Sequence, residues 1–318
     1  MNIPDRLTDL LRRERSFFIA IHIDPDGDAL GSSLALSDAL VSLGKEVTLY
    51  SRDPVPEIYR YLPGWERVTN SISNPGAQIS NLILIDCNEP DRTGLEDVKF
   101  RHSAVIDHHE TMRDFGDIKW IEPSAPATGL MVFYLIRALN AGITSGMATN
   151  LYSAIAVDTG TFRYSNTTSE VLRVSSELVA SGANPAYISK SLYETWSDRR
   201  FSLLISVLDT LEMQGDIAVM HVTQDMFRAT GTAPEDTENF SNFPRMIKTV
   251  KVSVFLRELD SSSYKISMRS KGDVNVAGVA EAFGGGGHMN AAGCKIKGNL
   301  GAVKEALLKA IKSKMPDA

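Results

Sequence analysis

Cysteine is scarce. The 318-residue chain has two, Cys87 and Cys294, too few for a disulfide framework. Long apolar runs are missing as well, since none approaches the roughly 20 residues that a bilayer-spanning helix needs. The opening MNIPDRLTDLLRRERS lacks an apolar core followed by a small-residue cleavage site, so it does not read as a secretory signal. Together these absences set the expectation of a reducing, cytoplasmic setting with no membrane partner. There is no basic excess either: 33 Lys and Arg face 39 Asp and Glu, a formal charge of −6. A protein that holds long DNA through its overall field should be basic, so long DNA is not an expected partner. No GxxxxGK[ST] loop cradles a nucleotide phosphate, and no Gly-x-Ser-x-Gly elbow supplies a serine nucleophile. Any phosphate chemistry must rest on local positive charge: a few arginines, helix N-termini or bound metal ions.

What is there reads as a globular chain, with 43% hydrophobic and 23% charged residues. Its length suits about two domains. In the first half, strand-like runs (Ser16–Ile23, Glu46–Tyr50, Asn81–Asp86, Ala104–Asp107) alternate with helical spacing over Ala29–Leu43, Gly129–Asn140, Ser145–Val157 and Ser169–Ser181. That alternation predicts an α/β domain with a mostly parallel sheet flanked by helices, whose ligands sit beyond the carboxyl ends of the strands. The second half carries β-type runs at Ile217–Val222, Thr249–Glu258 and Tyr264–Arg269. A Gly-rich turn, GGGGHMNAAG, comes next, and a final helix covers Leu300–Ser313. This predicts a smaller α+β domain. The expected division is residues 1–195, a helical linker over 196–212, and 213–318. The stretch Gly231–Pro244 reads as a polar loop.

Acids and histidines gather at the ends of these elements. His22, Asp24, Asp26 and Asp28 follow the run SFFIAIHI. Asp86 ends NLILID, Asp107-His108-His109 ends AVID, and Asp158 ends SAIAVD. Carboxylates and imidazoles suit divalent ions such as Mn²⁺, Mg²⁺ or Fe²⁺, and no paired-cysteine motif suggests structural zinc. Crowded carboxylates repel one another and raise their own pKa, a penalty that bound cations remove. Asp26, Asp28, Asp86 and Asp158 carry four formal charges, which two divalent ions would neutralise. Each piece alone also has a plainer reading. DPDG is a good turn sequence, and Asp86 or Asp158 could cap a helix. An EF-hand is excluded, because the required Gly and Glu positions counted from Asp24 fall on Ala29 and Ala35.

Taken in order, the motifs resemble the DHH phosphoesterase family, named for the triplet Asp107-His108-His109. HIDPDGDALGSSLAL, LILIDCNEPDRTG, VIDHHE and IAVDTGTFRYSNTT follow in the family's sequence, and GGGGHMNAAG is similar to the signature of the DHH-associated domain. The resemblance covers nearly the whole chain. It is greatest to the nanoRNase branch, which hydrolyses very short oligoribonucleotides and removes the 3′-phosphate of adenosine 3′,5′-bisphosphate (pAp). It implies a catalytic domain over 1–195, a substrate-binding domain over 213–318, and an active site in the cleft between them. It also implies two divalent cations, Mn²⁺ foremost. His22, Asp26 and Asp86 would hold one. Asp28, Asp86, His108 and Asp158 would hold the other, with Asp86 bridging. Asp24 becomes a supporting or turn residue, Asp107 the group that orients the histidines, and His109 the contact to a phosphate or leaving oxygen. Arg269, Ser270, Gly286, Gly287, His288 and Asn290 become substrate contacts; without the resemblance, Arg269 reads as a surface ion-pair residue, while the glycine run, with His288, Asn290 and the small residues after it, already favours backbone contact to a phosphate over a flexible loop.

The expected activity is metal-dependent hydrolysis of di- to pentanucleotides to mononucleotides, together with pAp dephosphorylation, by a water activated between two cations. Short RNA and pAp are the expected partners, and a homodimer is left open. The alternatives are a cyclic-dinucleotide phosphodiesterase, an inorganic pyrophosphatase, and a nucleotide-binding regulator without catalysis. GGGGHMNAAG weighs against the pyrophosphatase, and a complete ligand set weighs against the regulator.

Overall fold

The computed structural model describes residues 1–72, 79–95, 98–109 and 114–315. Glu110, the last residue of VIDHHE, lies outside them. The chain divides into two compact units, Met1–Thr195 and Trp196–Ala318.

In the first unit, helix α1 (Asp5–Arg13) leads to strand β1 (Ser16–Ile21), helix α2 (Gly27–Ser42) and strand β2 (Glu46–Tyr50). Strands β3 (Val68–Thr69), β4 (Ile79–Ile85), β5 (Phe100–Asp107) and β6 (Ile118–Ile121) follow. Helices α3 (Thr128–Ala138), α4 (Ser145–Asp158), α5 (Ser169–Ala180) and α6 (Pro185–Tyr193) complete the unit. All six strands pair in parallel, in the order β3-β2-β1-β4-β5-β6. A parallel sheet is covered on both faces, which is why its strands read as continuous apolar runs. Ile19, Ile21, Ile83 and Ile106 belong to the larger core, with α2, α3 and α4. Phe18, Ala20, Leu82, Leu84 and Val105 form a second cluster, which also buries Cys87. The strand order reverses between β1 and β4. In open α/β sheets that reversal opens a crevice at the strands' carboxyl ends. Helix α2 is buried almost all round and packs closely on α4.

In the second unit, α7 (Asp198–Leu208) precedes β7 (Glu212–Gln214), β8 (Ile217–Val222), α8 (Gln224–Thr230) and β9 (Val252–Asp260). Then come β10 (Ser263–Ser270), α9 (Ala277–Glu281), β11 (Gly286–His288), β12 (Ala291–Lys297) and α10 (Leu300–Lys312). The sheet order is β11-β12-β10-β9-β8-β7. The β8–β9 pair is parallel and the other pairs are antiparallel.

Three expectations change here. The helix expected as a linker packs into the second unit, where Leu203, Leu204 and Val207 meet Met220, Phe227 and Phe255. The expected loop over 231–244 contains short helical turns and carries Phe240 into that same core. The Gly-rich segment is more than a turn: Gly286–His288 forms the edge strand of a hairpin paired to Ala291–Gly293, with Met289 and Asn290 at its turn. Among the described residues, no helix is long and apolar enough to cross a membrane.

Candidate metal centre

Four segments of the first unit deliver the acids and histidines. Beyond β1, Asp26 caps α2: its Oδ1 accepts from the backbone N–H of Asp28 and of Ala29, both at 3.0 Å. The DPDG turn reading therefore holds alongside the functional one. Asp24 lies in the left-handed region (φ 52°), and its N–H donates to Asp53 Oδ2 at 2.7 Å. Beyond β4, the chain turns through Asp86, also left-handed at φ 59°, a conformation that aspartate tolerates better than most residues. Asp107 ends β5 and His108-His109 follow. Asp158 is the last residue of helix α4, directly after the helical run expected over Ser145–Val157. The run SAIAVD is apolar because α4 is buried.

These residues converge. One ligand atom each from His22, Asp26 and Asp86 lie within 4.8 Å of one another, and the same holds for Asp28, His108 and Asp158. Asp86 joins the two groups. Its Oδ2 is 3.5 Å from His22 Nε2, and its Oδ1 is 3.4 Å from His108 Nε2. His108 Nε2 is also 3.5 Å from Asp28 Oδ2 and 3.1 Å from Asp158 Oδ2.

The hydrogen-bond partners fix the tautomers. His22 Nδ1 lies 2.9 Å from the Ile23 carbonyl, and His108 Nδ1 lies 2.9 Å from the Ala125 carbonyl. A carbonyl only accepts, so each Nδ1 carries the hydrogen and donates it. In the neutral rings, both Nε2 lone pairs then point at carboxylate oxygens. Acceptors facing acceptors at 3.1–3.9 Å require something positive among them, either a proton on each ring or a cation in each group. The donor set of carboxylates and imidazoles fits a divalent cation, and four acids match two such charges.

The titration directions tell the same story. Burial pushes Asp26 up to about 6, with the charges of Asp86 and Asp158 adding to it against the pull of His22. Burial, then Asp86 and Asp158, holds Asp28 well above the usual carboxylate range. Burial opposes ionisation of Asp86, yet the hydrogen bond with His22 and the charges of His109 and His108 outweigh it and hold Asp86 low. Burial would lower His108, but its hydrogen bond to Asp158 and the surrounding acids raise it well above its ordinary value. His22 rises for the same reason, through Asp86 and Asp26.

Supporting groups emerge that the sequence did not reveal. Asp28 is fully buried and accepts the backbone N–H of Thr128 (2.7 Å) and Gly129 (2.8 Å) and the Ser32 hydroxyl (2.9 Å). The positive N-terminus of α3 thus helps to hold a buried acid. The Thr128 hydroxyl donates to Asp86 Oδ1 at 2.8 Å. Asp107 does less for His108 than expected and more for His109. Its Oδ1 lies 2.7 Å from His109 Nδ1 but meets His108 only at the backbone N–H, at 2.9 Å. The His108 ring is held by Ala125 instead.

In the second unit, Arg269, the penultimate residue of β10, is half-buried, and its Nη1 donates to the Met268 carbonyl at 3.0 Å. Ser270 differs from expectation: it is fully buried, its hydroxyl donates to the Val274 carbonyl (2.7 Å), and it accepts from Asn290 Nδ2 (2.8 Å). It holds Asn290 in place rather than presenting a hydroxyl. Gly286, Gly287 and His288 form β11 at the sheet edge.

Known proteins bear on this geometry. Residues 16–155 match the DHH family N-terminal domain, and residues 216–316 match the DHHA1 domain. The bifunctional oligoribonuclease and PAP phosphatase NrnA of Thermus thermophilus is 38% identical over 311 residues, covering 96% of this chain and 92% of that protein. The Bacillus subtilis protein of the same name is 26% identical, covering 86% and 87%. An exopolyphosphatase-related protein from Bacteroides fragilis has a solved structure with a TM-score of 0.85 at 28% identity, covering 97% of this chain and 95% of that one.

Proposed function

This chain belongs to the DHH family, and from that premise we propose that it is a phosphoesterase of the nanoRNase type. It hydrolyses di- to pentanucleotides to mononucleotides and removes the phosphate of pAp. The observation that carries this reading is the placement of Asp86, which offers one oxygen to the His22 group and the other to the His108 group. The relatives' name supports the substrate class over cyclic dinucleotides and pyrophosphate.

Phosphoesterases of this family depend on metal ions, and the acid–histidine groups here could hold them. In this reading, His22, Asp26 and Asp86 hold one divalent cation, and Asp28, Asp86, His108 and Asp158 hold a second. Mn²⁺ comes first, and Mg²⁺ or Fe²⁺ could take the same donors. When bound, such ions supply a Lewis acid toward water and phosphate oxygens. The protein's part is to keep the acids charged and in place, through the α3 N-terminus at Asp28 and the Thr128 hydroxyl at Asp86. Asp107 holds His109, which contacts a phosphate or the leaving oxygen. Arg269, Gly286, Gly287, His288 and Asn290 carry substrate binding in the second unit, with Ser270 behind Asn290. Two buried free cysteines suit a reducing, cytoplasmic setting.

The test is a substrate panel with Mn²⁺, with and without a chelator: pAp, a dinucleotide, a cyclic dinucleotide, pyrophosphate and a long single-stranded RNA. Chelator-sensitive turnover of the first two above the rest is expected. Turnover confined to pyrophosphate or long RNA, or indifferent to the chelator, would refute the reading.

A further inference from the structure

We propose that Asn88, to which no role is assigned above, is a positioning residue that acts through Asp107 on His109. The inference rests on the phosphoesterase reading of this site. Asn88 follows β4 by three residues, and Asp107 ends the neighbouring strand β5. Asn88 Nδ2 donates to Asp107 Oδ2 at 2.6 Å. Asp107 Oδ1 takes the backbone N–H of His108 (2.9 Å), the backbone N–H of His109 (3.3 Å) and the His109 Nδ1–H (2.7 Å). Asn88 is 2% exposed and Asp107 0%.

The consequence is geometric. Asp107 takes four N–H donors, two backbone amides and the His109 ring on Oδ1 and the Asn88 amide on Oδ2. Asp107 therefore cannot rotate without breaking several bonds at once. Its hold on Nδ1 sets the plane of the His109 ring and directs the ring's other nitrogen, Nε2, away from Asp107. Without the Asn88 amide, Asp107 Oδ2 becomes a buried acceptor with a lost donor. The carboxylate then turns to recover one, and the ring turns with it. A longer amide would not fit the 2.6 Å contact, and a carboxylate at position 88 would repel Asp107.

The ring can be read directly by NMR in protein carrying ¹⁵N-labelled histidine. His109 Nδ1–H, bonded to a buried carboxylate, should give a downfield proton resonance protected from exchange. Asn88→Ala should remove or exchange-broaden that resonance. It should also lower kcat on pAp roughly 10–100-fold, the range typical of groups that orient a site from behind. KM should stay within about twofold, because the interaction serves the reacting geometry rather than binding. The double variant N88A/H109A should be no slower than H109A alone. An unchanged resonance and kcat in N88A, or losses that multiply in the double variant, overturn the proposal. If Asn88→Ala does not fold, Asn88→Leu, of similar size and without a donor, carries the same expectations. The resonance is read without substrate, so an inactive wild type would defeat the phosphoesterase reading and still leave Asn88 to be judged on the spectrum.

Discussion

Gly31 and Asn150 lie so close that a Cβ on Gly31 would come within 2.3 Å of the Asn150 carbonyl oxygen. Gly27, one turn earlier on α2, sits almost as tightly against the Val157 side chain, where an added Cβ would come within 2.6 Å of Cγ2. The two helices therefore pack backbone-close along several turns, and the start of α2 meets the end of α4 at Gly27 and Val157. This contact brings Asp28 from one helix and Asp158 from the other to the same His108 nitrogen.

Gly31→Ala should force the two helices apart. Overpacking of this kind typically destabilises by about 1–3 kcal/mol, read as a lower midpoint in urea unfolding. Activity should fall further than stability does, because Asp158 moves away from His108. An unchanged midpoint with full activity would show that the contact has slack that the packing denies.

The sharing of Asp86 makes a prediction about stoichiometry. Asp86→Asn keeps the side chain's shape and tolerates the left-handed backbone at φ 59°, but removes the charge that both groups use. Metal content per chain, measured by mass spectrometry after dialysis, should fall for both ions. Asp26→Asn should lose only the ion of the His22 group, and Asp158→Asn only that of the His108 group. Loss of a single ion in Asp86→Asn would mean that Asp86 does not bridge.

The strand ends were legible because β1, β4 and β5 are buried on both faces. Their apolar runs stop where His22, Asp86 and Asp107 begin. What stayed hidden depends on contacts between distant segments. Thr128 meets Asp28 across 100 residues of chain and Asp86 across 42, and nothing local in the sequence marks it. Asp158 was legible both as an acid and as the residue that follows the helical spacing of Ser145–Val157. Ser270 was read with Arg269 as a substrate contact, but the alternation of β10 turns it inward.

The metal-free site should make stability fall as pH rises. Asp26 stands at about 6 in the fold against an ordinary 3.8, so between those values the folded chain binds more protons than the unfolded one. Asp28 is raised likewise. His22 and His108 are also raised, and the stability they contribute is full below about 6.5 and lost as pH passes their higher folded values. Divalent cations take the place of those protons. The rise in Tm on adding Mn²⁺ to chelator-treated protein should therefore be larger at pH 8 than at pH 5. Equal shifts, or a larger one at pH 5, would mean that protons and cations do not compete for these groups.

The glycine run poses a different question, because a flexible loop and a paired strand respond differently to an added side chain. Gly287 lies in the left-handed half of backbone space at φ 139°. A Cβ there would meet the Ala291 carbonyl oxygen at 2.5 Å and Ala292 Cα at 2.7 Å. Both are backbone atoms of the partner strand, so neither can swing aside. Gly284 also has positive φ, at 72°, but faces open space, and asparagine tolerates that conformation. Gly287→Ala should break the β11–β12 pairing, speed hydrogen exchange at the Gly286–His288 amides and destabilise the second unit by about 1–3 kcal/mol. Gly284→Asn should change exchange at those amides little. If the two variants behave alike, the glycines serve flexibility. If they part as expected, bare backbone is required at Gly287 for one strand to lie against another, before any substrate phosphate is considered.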